Sequence, residues 1–164
     1  MSDKKYEFVP GDEKTIAPGR TVKRIRLLVA IAAFGLPSGS LGGYIESKEC
    51  LSQSGNAWVS GNARVFGDAR VFGDAQVFGD AQVSGDAWVS GDASIVWVSK
   101  VGRDNGTLTV FTGKDGDLIA TRGCFIGTID EFLAQSEKVH DDRTHLEYRM
   151  LIEVAHSRIT RSAS

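Results

Sequence analysis

The sequence predicts a mainly β protein built around a parallel β-helix, and two observations support this prediction. A six-residue unit, Gly-Asn/Asp-Ala-x-Val/Ile-x, is repeated seven times without interruption from Gly55 to Val96. Within each unit Ala and Val lie two positions apart, so both face the same way in an extended strand, and the Gly-Asn or Gly-Asp pair supplies a corner. A helix would scatter valines spaced six apart around its surface. The pattern therefore favours a coil with Ala and Val inside.

The repeat resembles the hexapeptide repeat of the left-handed β-helix superfamily, in which three units make one triangular turn. The resemblance implies that valines three units apart stack in columns. The expected columns are Val59, Val77 and Ile95; Val65 and Val83; and Val71 and Val89. The resemblance therefore implies a short left-handed parallel β-helix over residues 43–98.

The segment before the repeat predicts a degenerate first coil. Leu41–Glu46 and Leu51–Gln53 place Ile45 and Leu51 six residues apart, and two extra residues before Val59 predict a widened corner. The phrases Gly-Gly-Tyr-Ile and Leu-Ser-Gln-x-Gly-Asn-Ala-Trp-Val are similar to small hexapeptide-repeat proteins of phages and prophages. Many of those proteins carry a transferase label taken from the fold alone.

Residues 1–42 are expected to form a β-rich N-terminal cap. Strands are predicted over Tyr6–Val9 and Thr21–Ile31, with turns at Pro10-Gly11 and Pro18-Gly19. A short helix over Leu27–Phe34 is an alternative to the end of the second strand.

Residues 99–164 predict a small α+β domain. A hairpin is expected from Thr107–Phe111 and Leu118–Thr121. The capping box Thr128–Glu131 opens a helix that runs to about His140, and Thr144–Glu147 opens a second helix toward Ser157. The predicted apolar faces are Ile129, Phe132, Leu133 and Val139 in the first helix, and Leu146, Met150, Leu151 and Val154 in the second. Residues 162–164 are expected to fray.

Composition excludes some classes of partner. The net charge of −2 gives no push toward DNA or an anionic membrane, and the apolar run Leu27–Leu36 is too short to span a bilayer. Cys50 and Cys124 are expected to be free thiols in a reducing compartment. These features predict a soluble cytoplasmic protein, in the host cytosol if it is phage-encoded.

Large aromatic residues occupy outward positions of the repeat, and these residues are Trp58, Phe66, Phe72, Phe78 and Trp88. Members of the left-handed β-helix superfamily, which the repeat resembles, commonly trimerise side by side. The resemblance therefore implies that these aromatics form the interface of a homotrimer. The alternative is that the chain's own terminal segments cover them.

The resemblance also raises acyl transfer from acetyl-coenzyme A between subunits, with a histidine as the base. The repeat contains no histidine, since His140, His145 and His156 all lie in the C-terminal helices. His140 is therefore the alternative catalytic residue. The related zinc carbonic anhydrases bind their metal through histidines on the coils, and the repeat of this chain has no histidine. Neither a metal nor a cofactor is therefore expected.

Two further patterns have simpler explanations. Cys124 with His140 could act as a nucleophile and base, but a buried structural cysteine is favoured. The corner aspartates could hold a cation where they stack, as Asp74 does above Asn56 and below Asp92, but side chains that cap their own turns explain them. The corner aspartates are Asp68, Asp74, Asp80, Asp86 and Asp92.

The C-terminal domain offers the preferred ligand site. Lys100, Arg103, Lys114 and Arg122 are expected to surround the helix N-terminus at Thr128, where free amides attract anions. Residues from a neighbouring chain are expected to complete the pocket, and these are Arg143, Tyr148 and Arg149. Pairing of Arg122 and Arg149 with Glu131 or Glu153 on a solvated face is the alternative.

The preferred function is that of a non-catalytic trimeric binding protein of phage type. It would act in counter-defence, either by sequestering a small anionic nucleotide-like signal or by blocking a host immune protein. An acyltransferase and a structural scaffold are the alternatives.

Overall fold

The N-terminal part of the chain forms an antiparallel sheet, in a computed structural model that describes residues 4–91 and 94–161. Its strands are β1 (Tyr6–Ala17), β2 (Arg20–Leu27) and β3 (Leu41–Ile45). The predicted turn at Pro18-Gly19 joins β1 to β2. The predicted turn at Pro10-Gly11 is wrong, because these residues lie in a bulge of β1 between the Phe8–Ile25 and Glu13–Lys23 pairs. The alternative helix is reduced to one 3-10 turn, Ala32–Phe34.

Six two-residue strands form the coil at the centre of the molecule. They are β4 (Trp58–Val59), β5 (Arg64–Val65), β6 (Arg70–Val71), β7 (Gln76–Val77), β8 (Gln82–Val83) and β9 (Trp88–Val89). Parallel pairing joins β4 to β7, β5 to β8 and β6 to β9, so the three predicted valine pairs stack as expected. The described Ala and Val positions of these repeats are all buried. The structure thus has a β-solenoid with an aliphatic interior.

The degenerate first coil is confirmed. Ile45 pairs with Val65 and Leu51 bridges to Val71, each 20 positions along the chain instead of 18. The two additional residues therefore lie between Leu51 and Val59, at the predicted wide corner. Through β3, one face of the coil continues into the N-terminal sheet.

The corners depend on glycine. Gly73 has φ of +63°, and a Cβ atom there would lie 2.5 Å from the carbonyl oxygen of Ser90 in the next turn. Both the backbone conformation and the close stacking therefore require glycine. Beside it, the Asn56 side chain donates to Asp74 Oδ1 at 3.1 Å. These two corner side chains thus bond to each other across successive turns. The predictions for Asp92, Ala93 and residues 162–164 lie outside the described residues.

The C-terminal sheet begins within the seventh repeat. Ile95 starts β10 (Ile95–Val101) and pairs with Phe111 of the next strand, and its side chain lies in the core that contains the coil valines. The antiparallel sheet continues through β11 (Gly106–Thr112), β12 (Leu118–Arg122) and β13 (Phe125–Thr128). The predicted hairpin is confirmed as β11–β12, whereas β10 and β13 extend it. Phe111 is fully buried and belongs to the same core as the coil valines.

Two helices cover this sheet and enclose a second core. They are α1 (Ile129–Val139) and α2 (Asp142–Arg161). The predicted start of α1 is confirmed, because the Thr128 side chain caps the helix by accepting from the Glu131 amide at 3.1 Å. The predicted start of α2 is wrong, since the Asp141 carboxylate accepts from the Thr144 amide at 2.9 Å and so caps the helix earlier.

The predicted apolar face of α2 is wrong for three of its four residues. Leu146, Met150 and Val154 are exposed, whereas Leu151 is partly buried and packs against the second core. The buried residues of α2 are Tyr148, Ile152, Ala155 and Ile159. The helix carries two apolar stripes, and the stripe that packs is the one whose Tyr148 ring meets Phe132 edge to face at 5.1 Å. Val139, predicted to be on the apolar side of α1, is exposed as well, and Ser136 is buried in that helix.

Side chains from both terminal segments close the two ends of the coil. At one end, Lys5 Nζ donates to the Ala57 carbonyl at 2.7 Å, and Tyr6 Oη donates to the Leu51 carbonyl at 2.7 Å. At the other end, the Gln82 amide donates to Thr109 Oγ1 at 3.1 Å, and Thr121 Oγ1 donates to the Gln82 carbonyl at 2.7 Å. Backbone groups that a further turn would pair are therefore satisfied within the chain.

The outward aromatics of the coil have different surroundings. Trp58 is buried and lies edge to face with Tyr6 at 6.3 Å, so its assignment to an intermolecular surface is wrong. The Arg20 guanidinium lies 5.3 Å from the ring centre of half-buried Phe66. Phe72 packs against Trp88, and Phe78 packs against Trp97. Trp88 and Phe78 keep 41% and 48% of their surface exposed.

Candidate functional site

A basic and aromatic cavity lies between α1, the start of α2 and the turn that joins β12 to β13. We call it the arginine cleft, and its volume is about 440 Å³. Its defining residues are Arg103, Arg122, Phe125, Phe132, His140 and Tyr148. Asp104 is the acidic residue of the lining. Four residues predicted for a site are thus brought together, namely Arg103, Arg122, His140 and Tyr148. Tyr148 comes from the same chain, so the expectation that a neighbouring chain supplies it is wrong.

Arg122 is held in place at the wall of the arginine cleft. Its Nε–H donates to Tyr148 Oη at 2.9 Å, and the Tyr148 side chain is buried. The guanidinium lies against Gly106, where a Cβ atom would come within 2.3 Å of Cζ. None of the ion pairs among the described residues involves Arg122. The terminal amino groups therefore offer positive charge in a fixed plane without a carboxylate partner.

Three aromatic rings line the cleft beside Arg122. Phe125 and Phe132 have ring centres 5.4 Å apart, and Phe132 lies 5.1 Å from Tyr148. The His140 ring lies 5.3 Å from Tyr148 at a tilt of 38°. Phe132 and Tyr148 are themselves buried, so half-buried Phe125 and His140 are the rings that can pack against a planar group while the guanidinium holds an anion.

A buried serine links two histidines at the end of α1. Ser136 Oγ lies 2.9 Å from His140 Nδ1 and 3.1 Å from His145 Nδ1. The hydroxyl can donate to one neutral imidazole, so the other must donate its own Nδ1 proton to Ser136. This arrangement orients the His140 ring, which leaves its Nε2 atom as the free nitrogen.

The predicted anion site at the N-terminus of α1 is not part of the arginine cleft. Thr128 and Lys114 line a separate cavity of about 250 Å³. Four carboxylates line it as well, those of Asp86, Asp115, Asp117 and Glu131. Since Thr128 already accepts from the Glu131 amide, this helix end favours its own acidic side chains over an external anion.

The remaining predicted ligand residues stand apart from both cavities. Lys100, Arg143 and Arg149 are exposed and line neither the arginine cleft nor the acidic cavity. Both cysteines are free, as predicted. Cys124 is exposed and lines the arginine cleft together with His140, so the expectation of a buried structural cysteine is wrong there.

Sequence reasoning missed Ser136, Phe125 and Phe132 as parts of the site. Ser136 and His140 are four apart on one helix, and this spacing was a usable signal. The approach of Phe125 to this pair depends on the β12–β13 turn, for which the local sequence offered no comparable pattern.

The described residues contain no group of three or more His, Cys, Asp or Glu side chains placed to hold a metal ion. No helix in the described ranges is both long and apolar enough to cross a bilayer.

Comparison with known proteins concerns the repeat alone. Three overlapping stretches, residues 57–73, 63–79 and 75–91, match the family model of the YdcK beta solenoid repeat. No curated protein and no solved structure matches the chain. The match supports a β-solenoid repeat protein.

Proposed function

We propose that this protein binds a small anionic ligand with a planar group, of the nucleotide type, in the arginine cleft. The observation that carries the proposal is the guanidinium of Arg122, held by Tyr148 and Gly106 with no acidic partner among the described residues. A half-buried guanidinium is a strong partner for phosphate, because its forked donors match two oxygens at once.

The lining suits both parts of such a ligand. Arg103 and Arg122 supply positive charge, while half-buried Phe125, which rests on buried Phe132, supplies an apolar surface on which a base can pack. A neutral nucleoside would keep only the packing of its base and would lose the contact with the positive charge. We therefore expect binding to depend on the phosphate and to weaken as salt rises.

Isothermal titration with adenosine monophosphate, adenosine and inorganic phosphate tests the proposal. Adenosine monophosphate is expected to bind at least tenfold more tightly than adenosine, since a charge-assisted pair contributes roughly 1.5–3 kcal/mol. Arg122→Gln is expected to remove this difference. Arg149→Gln is the matched control, because Arg149 is an exposed arginine outside the cleft.

Two results would overturn the proposal. One is that nucleoside mono-, di- and triphosphates all fail to bind at millimolar concentration. The other is that the Arg122 and Arg149 variants lose affinity equally, since the effect would then come from net charge alone.

The wider setting of the proposal follows from the resemblance of the repeat. In this wider proposal the coil is left-handed and three chains assemble side by side. The protein then acts in the host cytosol as a phage-type counter-defence factor. Sequestration of a nucleotide-like signal needs no turnover, and blocking of a host immune protein is the other use. Ligand released on denaturation after incubation with cell extract would support sequestration. Release of no nucleotide-like molecule would count against it.

Acyl transfer from acetyl-coenzyme A is the second candidate, favoured by the position of His140. The imidazole lies in the cleft with Nδ1 at 2.9 Å from Ser136 Oγ, and the tautomer in which Nδ1 donates to Ser136 leaves Nε2 to accept a proton. This function predicts thiol release from acetyl-coenzyme A in the presence of a small amine or sugar, and its loss in His140→Ala. A pure scaffold would show neither binding nor turnover.

A further inference from the structure

The turn at Gly123-Cys124 separates the arginine cleft from a second cavity of about 460 Å³, which we call the hairpin cleft. The hairpin cleft lies between the β1–β2 turn, one face of the coil and the β12–β13 turn. Gly123, Cys124 and Phe125 line both cavities. The two spaces therefore meet across a turn made of a glycine and a small side chain.

The hairpin cleft has the same chemistry as the arginine cleft. Arg20 lies over the Phe66 ring, and its contact with Glu46 is long, at 3.5 Å. Arg64 is half-buried in the same lining, and none of the ion pairs in residues 4–91 and 94–161 involves it. Each cavity thus combines a guanidinium lacking an acidic partner with an aromatic ring.

A hydroxyl group also lines the hairpin cleft. Ser84 is 3% exposed as a residue. Its oxygen still reaches the space of the cleft, since the buried side-chain polar atom without a partner among the described residues is Trp58 Nε1. The Ser84 hydroxyl can therefore donate a hydrogen bond to a ligand oxygen or accept one from an amino group.

The geometry points to a ligand with two nucleotide-like ends that spans both clefts, with one anionic group near Arg122 and another near Arg64. The inference rests on the proposed function of the arginine cleft and defines the ligand class as a dinucleotide. The two cavities have similar volumes, so each receives one base and its phosphate. Linking two such units turns the second contact into an intramolecular event and raises affinity without new contacts.

Titration with adenosine monophosphate and with diadenosine tetraphosphate tests the inference. The dinucleotide is expected to bind once per chain and at least thirtyfold more tightly than the mononucleotide. Arg64→Gln is expected to remove most of this gain while leaving mononucleotide affinity for the arginine cleft, which Arg64 does not line, within about twofold. Arg122→Gln is expected to weaken both ligands about tenfold or more.

Arg70→Gln is the matched control. Arg70 occupies the same position of the next repeat as Arg64 does in its own, yet it is exposed and lines neither cleft. The Arg70 variant is expected to bind both ligands like the unaltered protein.

Cys124 offers a second readout that does not depend on affinity. Cys124 is exposed on the shared turn and Cys50 is buried, so alkylation by iodoacetamide reports on Cys124. A dinucleotide that crosses the turn is expected to slow alkylation at least fivefold at saturation, and adenosine monophosphate at saturation is expected to slow it less.

The outcomes separate the two proposals. If the mononucleotide binds through Arg122 but the dinucleotide gains nothing, the two-ended ligand is overturned and the arginine cleft stands. Equal losses in the Arg64 and Arg70 variants, or equal protection of Cys124 by both ligands, also overturn it. If neither ligand binds, the proposed function fails as well.

Discussion

Gly73 shows how single residues determine the shape of the coil. Its φ of +63° costs a residue with a side chain about 1–2 kcal/mol, and a Cβ atom would also lie 2.5 Å from the Ser90 carbonyl oxygen. We expect Gly73→Ala to lower the free energy of unfolding by about 3 kcal/mol or more, as measured by urea denaturation.

Gly116→Ala is the control for this prediction. Gly116 has φ of +88°, but a Cβ atom at this position would have no neighbouring atom within 4 Å, so only the backbone cost remains. A loss equal to that of Gly73→Ala would show that stacking of the turns adds nothing.

Lys5 makes stability depend on pH. Burial lowers the pKa of Lys5 from 10.5 to about 8, although its hydrogen bond to the Ala57 carbonyl favours the charged form. Between these values the unfolded chain binds more protons than the folded protein, so stability rises with pH across this window. We expect an increase of about 1–2 kcal/mol from pH 7.5 to 10.

Urea denaturation at several pH values measures this slope. Lys5→Met is expected to abolish it, while Lys4→Met, a change in the exposed neighbour, is expected to retain it. The pH range stops at 10 because of Tyr6. Burial raises the pKa of the Tyr6 hydroxyl, so this group lowers stability only when the pH rises above the ordinary tyrosine pKa of about 10. A slope unchanged in Lys5→Met would contradict the assignment.

At the level of elements, the C-terminal sheet closes the coil through two buried threonines. Thr121 donates to the Gln82 carbonyl at 2.7 Å, and Thr109 accepts from the Gln82 amide at 3.1 Å. Thr121→Val keeps the shape and removes the donor. We expect this change to cost about 1–3 kcal/mol, because a buried carbonyl loses its partner.

Thr107→Val is the matched change on the same sheet. The Thr107 hydroxyl bonds to Ser99 in an exposed position, so water replaces the lost contact. A cost within about 0.5 kcal/mol is expected there. Calorimetric melting of both variants tests whether burial, and not the threonine itself, accounts for the difference.

The two helices show where local sequence was sufficient. Thr128 and Glu131 predicted the start of α1 because helix capping is local, and the structure shows the Thr128 cap. The packed face of α2 could not be predicted, since Leu146 and Ile152 lie on stripes of similar apolarity. Which of the two stripes packs depends on Phe132 and Arg122, which lie on other elements and contact Tyr148 of the packed stripe.

At the level of the whole molecule, the same contrast separates fold from site. The coil was predictable because each repeat carries its own buried pair and its own corner, so stacking follows from the period. The arginine cleft was only partly predictable. Arg122 and Tyr148 are basic and aromatic signals in the sequence, but their contact depends on how α2 lies on the sheet. Arg64 and Ser84 looked like ordinary outward positions of the repeat.

The exposed aromatics of the coil lead to the last prediction. Phe78 and Trp88 remain about half exposed after packing on Trp97 and Phe72, and exposed apolar clusters commonly mark interfaces. In the proposed homotrimer they are covered by neighbouring chains, so light scattering is expected to give three times the 17.7 kDa protomer mass. Trp88→Ser with Phe78→Ser is expected to yield protomers, whereas Met150→Ser, on the exposed stripe of α2, is expected to leave the trimer intact. Dissociation by the Met150 change alone would place the interface on α2 instead, and a wild-type protomer would exclude assembly through either surface.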